Sequence, residues 1–443
     1  MRILIIGGTA AGMSAAAKLR RVDREAEIVV YEKRSYVSFG ACGLPYFVGD
    51  FFGDVNNMIA RTKEQTVASG VDVHTGCEVT HLDVNTKQIT AKNLETGETI
   101  TDTYDRLMIA TGASPIIPPI QNVKLQNVFT LHSMEDGVAL KKAMEDSSLT
   151  KVAIVGAGFI GLEVVEAAKQ HGKEVHVFQR EESILNLPFD KEITDLLEQE
   201  LVSHNVSLSL SSTVTELKGT DKVEAVVVGD AVIDADIVVL AAGVKPNTAF
   251  LADTGIEMTP NGAIKIDAKG RTSIADIYSA GDCATVPHML QEGTYIPLAT
   301  SANKLGRIVG ENLGGLDTTY QLTLGSSCIK VLDMEAGRTG LTEEDAKKAG
   351  INYGVTFVTD MNQTNYYPGQ EKIYVKLVYD KETKVLLGGQ IAGKKDAVHR
   401  VNVLATAIYA KMTTMELGML DLCYSPPFAR TWDVLNIAGN ISK

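Results

Sequence analysis

The sequence ILIIGGTAAG at residues 3–12 decides the fold, and VAIVGAGFIG at residues 152–161 repeats its pattern. Each is an apolar strand followed by a glycine turn and the start of a helix, which is typical of a βαβ unit that binds a dinucleotide. In the first unit Gly7 makes the tight turn, Gly12 allows close packing of the helix, and Glu32 follows at the distance of a ribose-binding acid. Two such units predict an α/β protein that binds two dinucleotides.

The second fingerprint is complete, and the residues around it concern the nicotinamide cofactor. Its second strand ends in Gln179 and Arg180, where an acid would select the unphosphorylated cofactor. A neutral amide followed by arginine can accept a 2′-phosphate, so we expect NADPH to be used unless Glu181 or Glu182 takes over. Glu163 is expected either to face the nicotinamide or to stabilise the N-terminus of its helix. The glycines of this fingerprint are Gly156, Gly158 and Gly161.

One cysteine stands between glycines soon after the first unit, in VSFGACGLPY at residues 37–46. Gly40 and Gly43 let the backbone pass close to a flat ring, and Pro45 fixes the following turn. No second cysteine lies within four residues of Cys42, so its redox partner has to come from elsewhere. The alternative is a small buried hydrophobic residue in a loop, but two nucleotide-binding units in the same chain favour the redox role.

Three later strand ends carry further candidates. The strand before Thr111 and Gly112 and the strand before Gly243 end in similar turns, as at the exits of domains. A third strand ends in Gly281 and Asp282, where a carboxylate suits a hydroxyl of the ribityl chain of a flavin. The alternative for this aspartate is a helix cap. A predicted helix at 302–310 holds Asn303, Lys304 and Arg307, and its N-terminus is expected to face the same cofactor.

The C-terminal part has a different character. Its alternating strands predict an antiparallel sheet in a separate α+β domain without a cofactor motif. Its apolar helices suit a subunit interface. The predicted strands are 327–332, 355–359, 372–379 and 385–392, and the predicted helices lie near 395–412 and 415–421.

Composition excludes several classes of partner. The 443 residues carry a net charge of −13, which disfavours nucleic acids and anionic membranes. No apolar run approaches the ~18 residues that span a membrane, and Met1 runs almost directly into a strand, which leaves no room for a signal peptide. The five cysteines are scattered and none has the spacing of a zinc site. We therefore expect a cytoplasmic protein without a metal centre.

In their order along the chain, these motifs resemble the flavin-dependent pyridine nucleotide-disulfide oxidoreductases of the glutathione reductase fold, in the branch with a single redox cysteine. The resemblance spans essentially all residues. It implies two Rossmann-like domains, one for FAD and one for NAD(P), and a C-terminal α+β dimerisation domain. The FAD-binding domain is expected to comprise residues 1–113 and 245–320, the NAD(P)H-binding domain residues 114–244, and the dimerisation domain residues 321–443.

Within this branch the chain is most similar to coenzyme A-disulfide reductases and their persulfide-reducing relatives. Oxidases and peroxidases of the branch usually have a histidine in the first glycine loop, where this chain has Ala10. The reductases have two tyrosines that reach the active site of the other subunit, and the matching positions are Tyr366 and Tyr424. Many of them carry asparagine where this chain has Ala41. An NADH oxidase or peroxidase that works through a sulfenic acid on Cys42 is therefore an alternative, and a flavin-binding redox sensor is another.

The resemblance also implies a mechanism. NAD(P)H reduces the flavin, and two electrons pass on to Cys42, which rests as a mixed disulfide with coenzyme A. The released Cys42 thiolate attacks coenzyme A disulfide, and Tyr424, with Tyr366, protonates the departing thiolate from the partner subunit of a homodimer. The blander interpretation of both tyrosines is that they are ordinary aromatic residues of the interface.

The candidate residues thus form four groups. The expected catalytic residues are Cys42, Tyr366 and Tyr424. The expected FAD-binding residues are Gly7, Gly12, Glu32, Lys33, Thr111, Gly112, Gly281, Asp282 and Ala299. The expected NAD(P)H-binding residues are Gly156, Gly158, Gly161, Glu163, Gln179, Arg180 and Gly243. The expected substrate-binding residues are Ser14, Lys18, Arg21, Ser38 and Asn303.

Overall fold

The structure is a computed structural model that describes residues 1–442. The chain forms two compact units. The first comprises Met1–Gly43, Asp54–Pro115 and Val244–Thr323, and the second comprises Leu44–Gly53, Ile116–Gly243 and Leu324–Lys443. The first unit is close to the predicted FAD-binding segments, while the second contains both other predicted domains. The three-domain division stays a prediction.

The first unit is built on the parallel sheet that the first fingerprint predicts. Its five strands lie in the order Ile277–Ser279, Arg106–Ile109, Arg2–Ile6, Glu27–Glu32 and Asp72–Thr75. Cys77–Asp83, Gln88–Asn93 and Thr99–Thr103 form an antiparallel sheet, and Ala113–Pro115 pairs with Val244–Pro246. The helices are Ala10–Val22, Lys63–Ala68 and Ala299–Leu313.

Two helices of this unit pack unusually closely. A Cβ atom added to Gly306 or Gly310 would lie 2.4 Å from the carbonyl oxygen of Ala11 or Ala15, respectively. Glycines on one helix and alanines on the other therefore let the two backbones approach, because no larger side chain separates them. The helix predicted at 302–310 is longer than expected and runs over Ala299–Leu313.

The second unit contains a second parallel sheet. Its strands lie in the order Val206–Ser209, Glu174–Phe178, Lys151–Val155, Ile237–Leu240 and Val128–Phe129. An antiparallel sheet of Val214–Lys218, Ala225–Val228 and Ala231–Asp234 lies in the chain between the strands Val206–Ser209 and Ile237–Leu240 of this parallel sheet. The helices of this part are Leu44–Val48, Met134–Glu145, Phe159–Gln170 and Lys191–Ser203.

The C-terminal part of the second unit contains the predicted antiparallel sheet, with one strand more than expected. The strand order is Ser327–Val331, Met334–Gly340, Leu386–Gly393, Lys372–Asp380 and Tyr353–Met361. The prediction missed Met334–Gly340, because its sequence MEAGRTG has two glycines and little β propensity. The helices of this part are Glu343–Lys348, Ala397–Tyr409, Thr414–Gly418 and Val434–Ile441, of which the prediction missed the first and the last. Within residues 1–442, no helix has both the length and the apolar character needed to cross a membrane.

A buried lysine of the C-terminal sheet is bonded to the starts of two helices. Lys376 is 1% exposed, and its Nζ lies 2.7 Å from Glu192, 2.8 Å from Glu343 and 3.3 Å from Asp190. Burial would lower the pKa of Lys376, but the hydrogen bonds that it donates to the two glutamates, together with the charges of Asp190 and Glu192, outweigh burial and raise it. The ammonium group therefore stays charged, and it neutralises carboxylates that precede or begin two helices.

Replacement of Lys376 by methionine should lower the free energy of unfolding by about 3–5 kcal/mol, because it leaves three carboxylates together without a cation. Urea denaturation followed by circular dichroism would measure the change. Lys191→Met is the matched control, since Lys191 is 78% exposed in an ion pair on the helix surface and should cost less than about 1 kcal/mol. Equal effects of the two substitutions would contradict the assignment.

Candidate active site

The first glycine loop has the geometry that its sequence demands. Gly7 has a φ of +108°, and a Cβ atom on it would lie 2.1 Å from the carbonyl oxygen of Ala110. A Cβ atom on Gly12 would lie 1.9 Å from the carbonyl oxygen of Gly7. The helix that follows begins after Thr9, whose side chain makes no capping hydrogen bond. The first N–H groups of this helix suit the pyrophosphate of a dinucleotide.

Glu32 closes this loop at the end of its strand. Its buried carboxylate accepts hydrogen bonds from the N–H of Gly8 at 2.6 Å and from the N–H of Arg34 at 2.8 Å. Each carboxylate oxygen has capacity for a second bond, so a ribose hydroxyl can still be bound. Lys33 points elsewhere, because its Nζ pairs with Glu78 at 3.3 Å on the surface.

The Cys42 segment is held against the same loop. The N–H of Ser38 donates to the carbonyl oxygen of Gly8 at 2.8 Å, and the carbonyl oxygen of Ser38 accepts from Ala60 at 3.0 Å. Ser38 has a φ of +54°, which turns the chain sharply at this point. Cys42 follows in a short 3₁₀ turn, Ala41–Gly43, with its side chain exposed. The exposure argues against the interpretation of Cys42 as a buried hydrophobic residue.

Asp282 is the best indication of a bound group in the first unit. Burial raises the pKa of its carboxyl, and among residues 1–442 no hydrogen bond to this carboxylate is found, while its backbone oxygen accepts from Tyr295 at 2.9 Å. A turn rather than a helix follows it, so the interpretation as a helix cap is wrong. A largely buried carboxylate without a partner fits a ligand hydroxyl, as the ribityl chain of FAD would supply. Gly281 beside it has a φ of +85°.

Thr111 and Gly112 have a structural role that the sequence did not reveal. The Thr111 hydroxyl donates to the carbonyl oxygen of Asn247 at 2.8 Å, and the Asn247 amide donates back at 3.0 Å. The N–H of Asn247 donates to Gly112 at 2.9 Å. These bonds join the segment that leaves the parallel sheet to the segment that returns to the unit.

The predicted substrate-binding residues lie mainly on two packed helices, Ala10–Val22 and Ala299–Leu313. The Ser14 hydroxyl donates to Asn303 Oδ1 at 2.7 Å. Lys18 pairs with Glu311 at 2.8 Å, so its charge is already neutralised. The exposed Arg21 bonds through Nε to the backbone of its own helix at 3.0 Å, which leaves the rest of its guanidinium available. Ala299 is the first residue of its helix.

The second glycine loop repeats the geometry of the first. Gly156 has a φ of +107°, and a Cβ atom on it would lie 2.4 Å from the carbonyl oxygen of Ala241. A Cβ atom on Gly161 would lie 2.1 Å from the carbonyl oxygen of Gly156. A Cβ atom on Gly158 would meet nothing within 4 Å. Its position therefore borders open space at a helix N-terminus, which fits a pyrophosphate. Gly243 has a φ of +101°.

Gln179 takes the place that Glu32 has in the first unit. Its Oε1 accepts from the N–H of Ala157 at 3.1 Å, and its Nε2 donates to Ser183 at 3.3 Å. The neutral amide thus holds the glycine loop without adding a negative charge. Arg180 is exposed, and its Nε and Nη2 donate to Glu181 at 3.0 and 2.8 Å. Glu181 therefore pairs with Arg180, and a ribose-binding role of Glu181 or Glu182 stays a prediction.

Glu163 has a partner that the sequence analysis missed. The hydroxyl of Tyr46 donates to Glu163 at 3.3 Å. Burial raises the pKa of Glu163 to about 7; the bond from Tyr46 opposes the shift, and the charge of Glu166 adds to it. Burial and the same carboxylate also raise the pKa of Tyr46. Tyr46 belongs to the quoted Cys42 stretch, so its position in the sequence was a usable signal.

Tyr366 and Tyr424 come together, as their proposed shared role requires. Their hydroxyl oxygens are 3.1 Å apart, and the residues are 70% and 45% exposed. The hydrogen bond to Tyr366 raises the pKa of Tyr424, so Tyr424 keeps its proton.

Glu200, His204 and Asp333 place possible metal ligands within 4.8 Å of one another. The two ring nitrogens of His204 face Glu200 at 3.5 Å and Asp333 at 3.3 Å. The Nδ1 of His204 also lies 3.0 Å from the backbone carbonyl oxygen of Glu200, and the Glu200 carboxylate accepts from the N–H of Asp333 at 3.1 Å. Backbone groups thus already bond two of the three side chains. The absence of a metal centre stays a prediction.

Comparison with known families now adds to this geometry. Residues 1–306 match the family "Pyridine nucleotide-disulphide oxidoreductase", and residues 326–434 match its dimerisation domain. The chain belongs to this family. Membership implies FAD and a pyridine nucleotide as cofactors, and the dimerisation domain implies a homodimer.

Two curated relatives of this pyridine nucleotide-disulphide oxidoreductase differ in their named activity. The "NAD(P)H sulfur oxidoreductase (CoA-dependent)" of Pyrococcus abyssi is 38% identical over 100% of this chain and 98% of the relative. An "NADH oxidase" of Enterococcus faecalis is 36% identical over 99% of this chain and 98% of the relative.

Three solved structures superpose with a TM-score of 0.95 each. Reduced CoADR-RHD of Bacillus anthracis is 33% identical over 99% of this chain and 79% of that one. The water-forming NADH oxidase of Lactobacillus brevis, bound to NADH, is 30% identical over 99% of this chain and 97% of that one. An engineered NADPH oxidase made from it, bound to NADPH, is also 30% identical, over 99% of this chain and 98% of that one.

The raised pKa of Glu163 predicts a pH dependence of stability. Its carboxyl has an ordinary value of 4.5 when unfolded and about 7 when folded, so the folded state binds the proton more tightly. Its contribution to the free energy of unfolding is therefore present below about pH 4.5 and falls by roughly 3 kcal/mol as the pH rises to 7. Glu163→Gln should lack this decline.

Urea denaturation at a series of pH values would measure it, as the difference between wild type and Glu163→Gln. Relative to wild type, the variant should gain stability between pH 4.5 and 7 and then reach a plateau. Glu174→Gln, at an exposed position in the same unit, is the control. A difference that does not vary with pH would rule out the shifted carboxyl.

Proposed function

We propose that the protein is an FAD-dependent NAD(P)H:disulfide oxidoreductase that reduces coenzyme A disulfide, or a coenzyme A persulfide, through Cys42. The observation that carries the proposal is the exposed Cys42 turn, which is fixed to the first glycine loop by Ser38. Cys77 and Cys283 are buried, Cys328 and Cys423 are exposed, and none of the four lies close to Cys42 in sequence. A thiol in this position needs a small external thiol as its partner. The coenzyme A-dependent relatives support coenzyme A as that thiol.

The residues of this chain perform the exchange in two steps. When bound, FAD supplies a carrier for the two electrons that pass from NAD(P)H to sulfur. In the first step the disulfide between Cys42 and coenzyme A breaks; two electrons and one proton give a Cys42 thiolate and one coenzyme A thiol. In the second step this thiolate attacks coenzyme A disulfide, so that the mixed disulfide re-forms and a second coenzyme A thiolate leaves.

The departing thiolate needs a proton, and the pair of tyrosines is placed to supply it. The hydroxyls of Tyr424 and Tyr366 lie 3.1 Å apart, and a positioned hydroxyl can donate a proton to a leaving sulfur. In our proposal the pair acts on the Cys42 site of the partner subunit, so each active site is shared between the two chains. The exposure of both tyrosines supports such a role.

A second candidate is an NADH oxidase that reduces oxygen through a sulfenic acid on Cys42. It is favoured by the 36% identity to the Enterococcus faecalis NADH oxidase and by Ala41, where many of the reductases carry asparagine. Ala10 in the first glycine loop weighs against it. A flavin-binding redox sensor is a weaker candidate, since the second nucleotide loop has complete binding geometry.

We also propose that NADPH is a cofactor of this enzyme. The engineered NADPH oxidase differs from its NADH-dependent parent by loss of an aspartate and gain of two arginines, among other substitutions. This chain has the neutral Gln179 and then Arg180 at the end of the corresponding type of strand. The Arg180 guanidinium donates to the Glu181 carboxylate. A 2′-phosphate would compete with this carboxylate for the same guanidinium.

The first prediction of this proposal concerns Cys42. Mass spectrometry of the untreated protein should show an adduct of coenzyme A mass on Cys42 that dithiothreitol removes, because the resting sulfur is held as a mixed disulfide. Cys42→Ser should abolish turnover of coenzyme A disulfide, since a hydroxyl cannot undergo the exchange. It should still allow NAD(P)H to reduce the bound flavin in a stopped-flow experiment.

Cys423→Ser is the matched control and should retain turnover, although this exposed thiol lies beside Tyr424 in sequence. The addition of a single oxygen to Cys42 in the untreated protein would favour the oxidase instead. NAD(P)H turnover with oxygen alone at the rate seen with coenzyme A disulfide would refute the reductase assignment.

The second prediction concerns cofactor preference. Gln179→Glu keeps the length of the side chain and its bond to Ala157, as Glu32 does with Gly8, but it adds a negative charge. The ratio of kcat/KM for NADPH to that for NADH should fall about tenfold or more, because each ~1.4 kcal/mol of repulsion is a factor of ten. Glu181→Gln releases Arg180 and should raise the same ratio. An unchanged ratio in both variants would refute the assignment.

A further inference from the structure

Two loops of the C-terminal part carry the tyrosines, and neither has regular secondary structure. Tyr366 lies between the strands Tyr353–Met361 and Lys372–Asp380, and Tyr424 lies between the helices Thr414–Gly418 and Val434–Ile441. The tyrosines are 58 residues apart in sequence, yet their hydroxyl oxygens lie 3.1 Å apart. One hydrogen bond between two exposed side chains does not fix their positions, because it stabilises them by no more than the entropy lost on ordering them. The loops need an anchor beneath them.

The Tyr366 loop is closed from inside by a buried glutamine. Gln363 is 0% exposed, and its Nε2 donates to the carbonyl oxygens of Tyr367 at 3.3 Å and Pro368 at 2.9 Å. Gln370 donates to the carbonyl oxygen of Gln363 at 2.6 Å. The loop is therefore a preformed turn that carries Tyr366 outward, and its position depends on what holds its base.

The guanidinium of Arg400 joins the base of this loop to the other loop. Its Nη2 donates to the carbonyl oxygen of Asn362 at 3.1 Å, in the first loop, and to that of Phe428 at 3.0 Å, in the second. Its Nε donates to Asp433 at 2.9 Å, at the end of the second loop, and its Nη1 donates to its own helix at Asp396, at 3.1 Å. The side chain is only 12% exposed, so these bonds compete little with water.

Other contacts also join the Tyr366 loop to the Tyr424 loop. The Thr364 hydroxyl donates to the carbonyl oxygen of Pro426 at 3.1 Å, two residues from each tyrosine. Arg430 also pairs with Asp360, next to the base of the first loop. These contacts lie on either side of Arg400, which is bonded to both loops at once.

We propose that Arg400 is a positioning residue that sets the distance between the Tyr366 and Tyr424 hydroxyls. The inference rests on the proposed function for the meaning of that distance, but the distance itself does not depend on any substrate. Only a planar group with several fixed N–H donors can reach Asn362, Phe428 and Asp433 together; a lysine ammonium is a point donor and cannot span them. Loss of one bridge shifts one tyrosine relative to the other, and a misplacement of about 1 Å can cost ~100-fold in rate.

The test uses the holoenzyme with Arg400→Lys, which keeps the charge opposite Asp433. Arg338→Lys is the matched control, because the Arg338 side chain is 13% exposed in the same part of the molecule and pairs with Asp345, away from both loops. The first readout is fluorine NMR of enzyme that contains fluorotyrosine, with the Tyr424 signal assigned by its loss in Tyr424→Phe. In Arg400→Lys this signal should move in the direction seen for Tyr366→Phe, and the pKa of Tyr424 should fall toward its ordinary value. Arg338→Lys should change neither.

The second readout is turnover of coenzyme A disulfide. Arg400→Lys should slow it by ~10- to 100-fold while reduction of the bound flavin by NAD(P)H stays within about twofold. Because Arg400 acts through the tyrosines, Arg400→Lys combined with Tyr424→Phe should be no slower than Tyr424→Phe alone. Multiplication of the two effects, or an unchanged NMR signal in Arg400→Lys, would overturn the inference.

Two further outcomes are separated by the design. If Arg400→Lys does not fold, Asp433→Asn removes the charged partner of Arg400 and should move the Tyr424 signal in the same direction; no movement would overturn the inference. If the wild type does not turn over coenzyme A disulfide, the proposed function fails, whereas the NMR comparison still decides whether Arg400 sets the distance.

Discussion

In each of the two glycine fingerprints, the backbone of the first glycine contacts the backbone of a neighbouring strand end without an intervening side chain. Gly7 and Gly156 have φ values of +108° and +107°, and each lies where a Cβ atom would overlap a carbonyl oxygen of a neighbouring strand exit. The first strand can end, and the helix can begin over the sheet edge, only because these contacts are possible. The helix N-termini, the ends of the second strands and the Cys42 segment all take their positions from these two turns.

The two glycine turns differ in the side chain that accepts a hydrogen bond from the loop. In the first half a carboxylate, Glu32, accepts the N–H of Gly8; in the second a neutral amide, Gln179, accepts the N–H of Ala157. One backbone geometry is therefore compatible with either a negative or a neutral side chain at the end of the second strand. Under the proposed function, cofactor selection changes at this one side chain without a change in the path of the chain.

The parallel sheets and the glycine geometry were predictable because they depend on residues that are close in sequence and have few conformational alternatives. The strand Met334–Gly340 was missed because its pairing, not its composition, makes it a strand. The bond between Tyr46 and Glu163 spans 117 residues, and the bonds of Arg400 join three separate segments. Such contacts depend on the tertiary structure, and no local pattern encodes them. The reverse holds for Lys18, whose charge suggested a substrate contact but is already paired with Glu311.

The buried cation of Lys376 links two segments of the second unit that are far apart in sequence. Its three carboxylates come from Asp190 and the first turn of the following helix, next to the second parallel sheet, and from the start of the helix at Glu343. Separation of residues 116–243 from residues 324–442 would leave Asp190 and Glu192 without their cation, and Lys376 would keep only Glu343. The stability of each of these two segments therefore depends on the other. Residues 116–243 and 324–442 should therefore unfold together as one cooperative unit. If residues 116–243 were moved into another protein, Asp190 and Glu192 would need a replacement for Lys376.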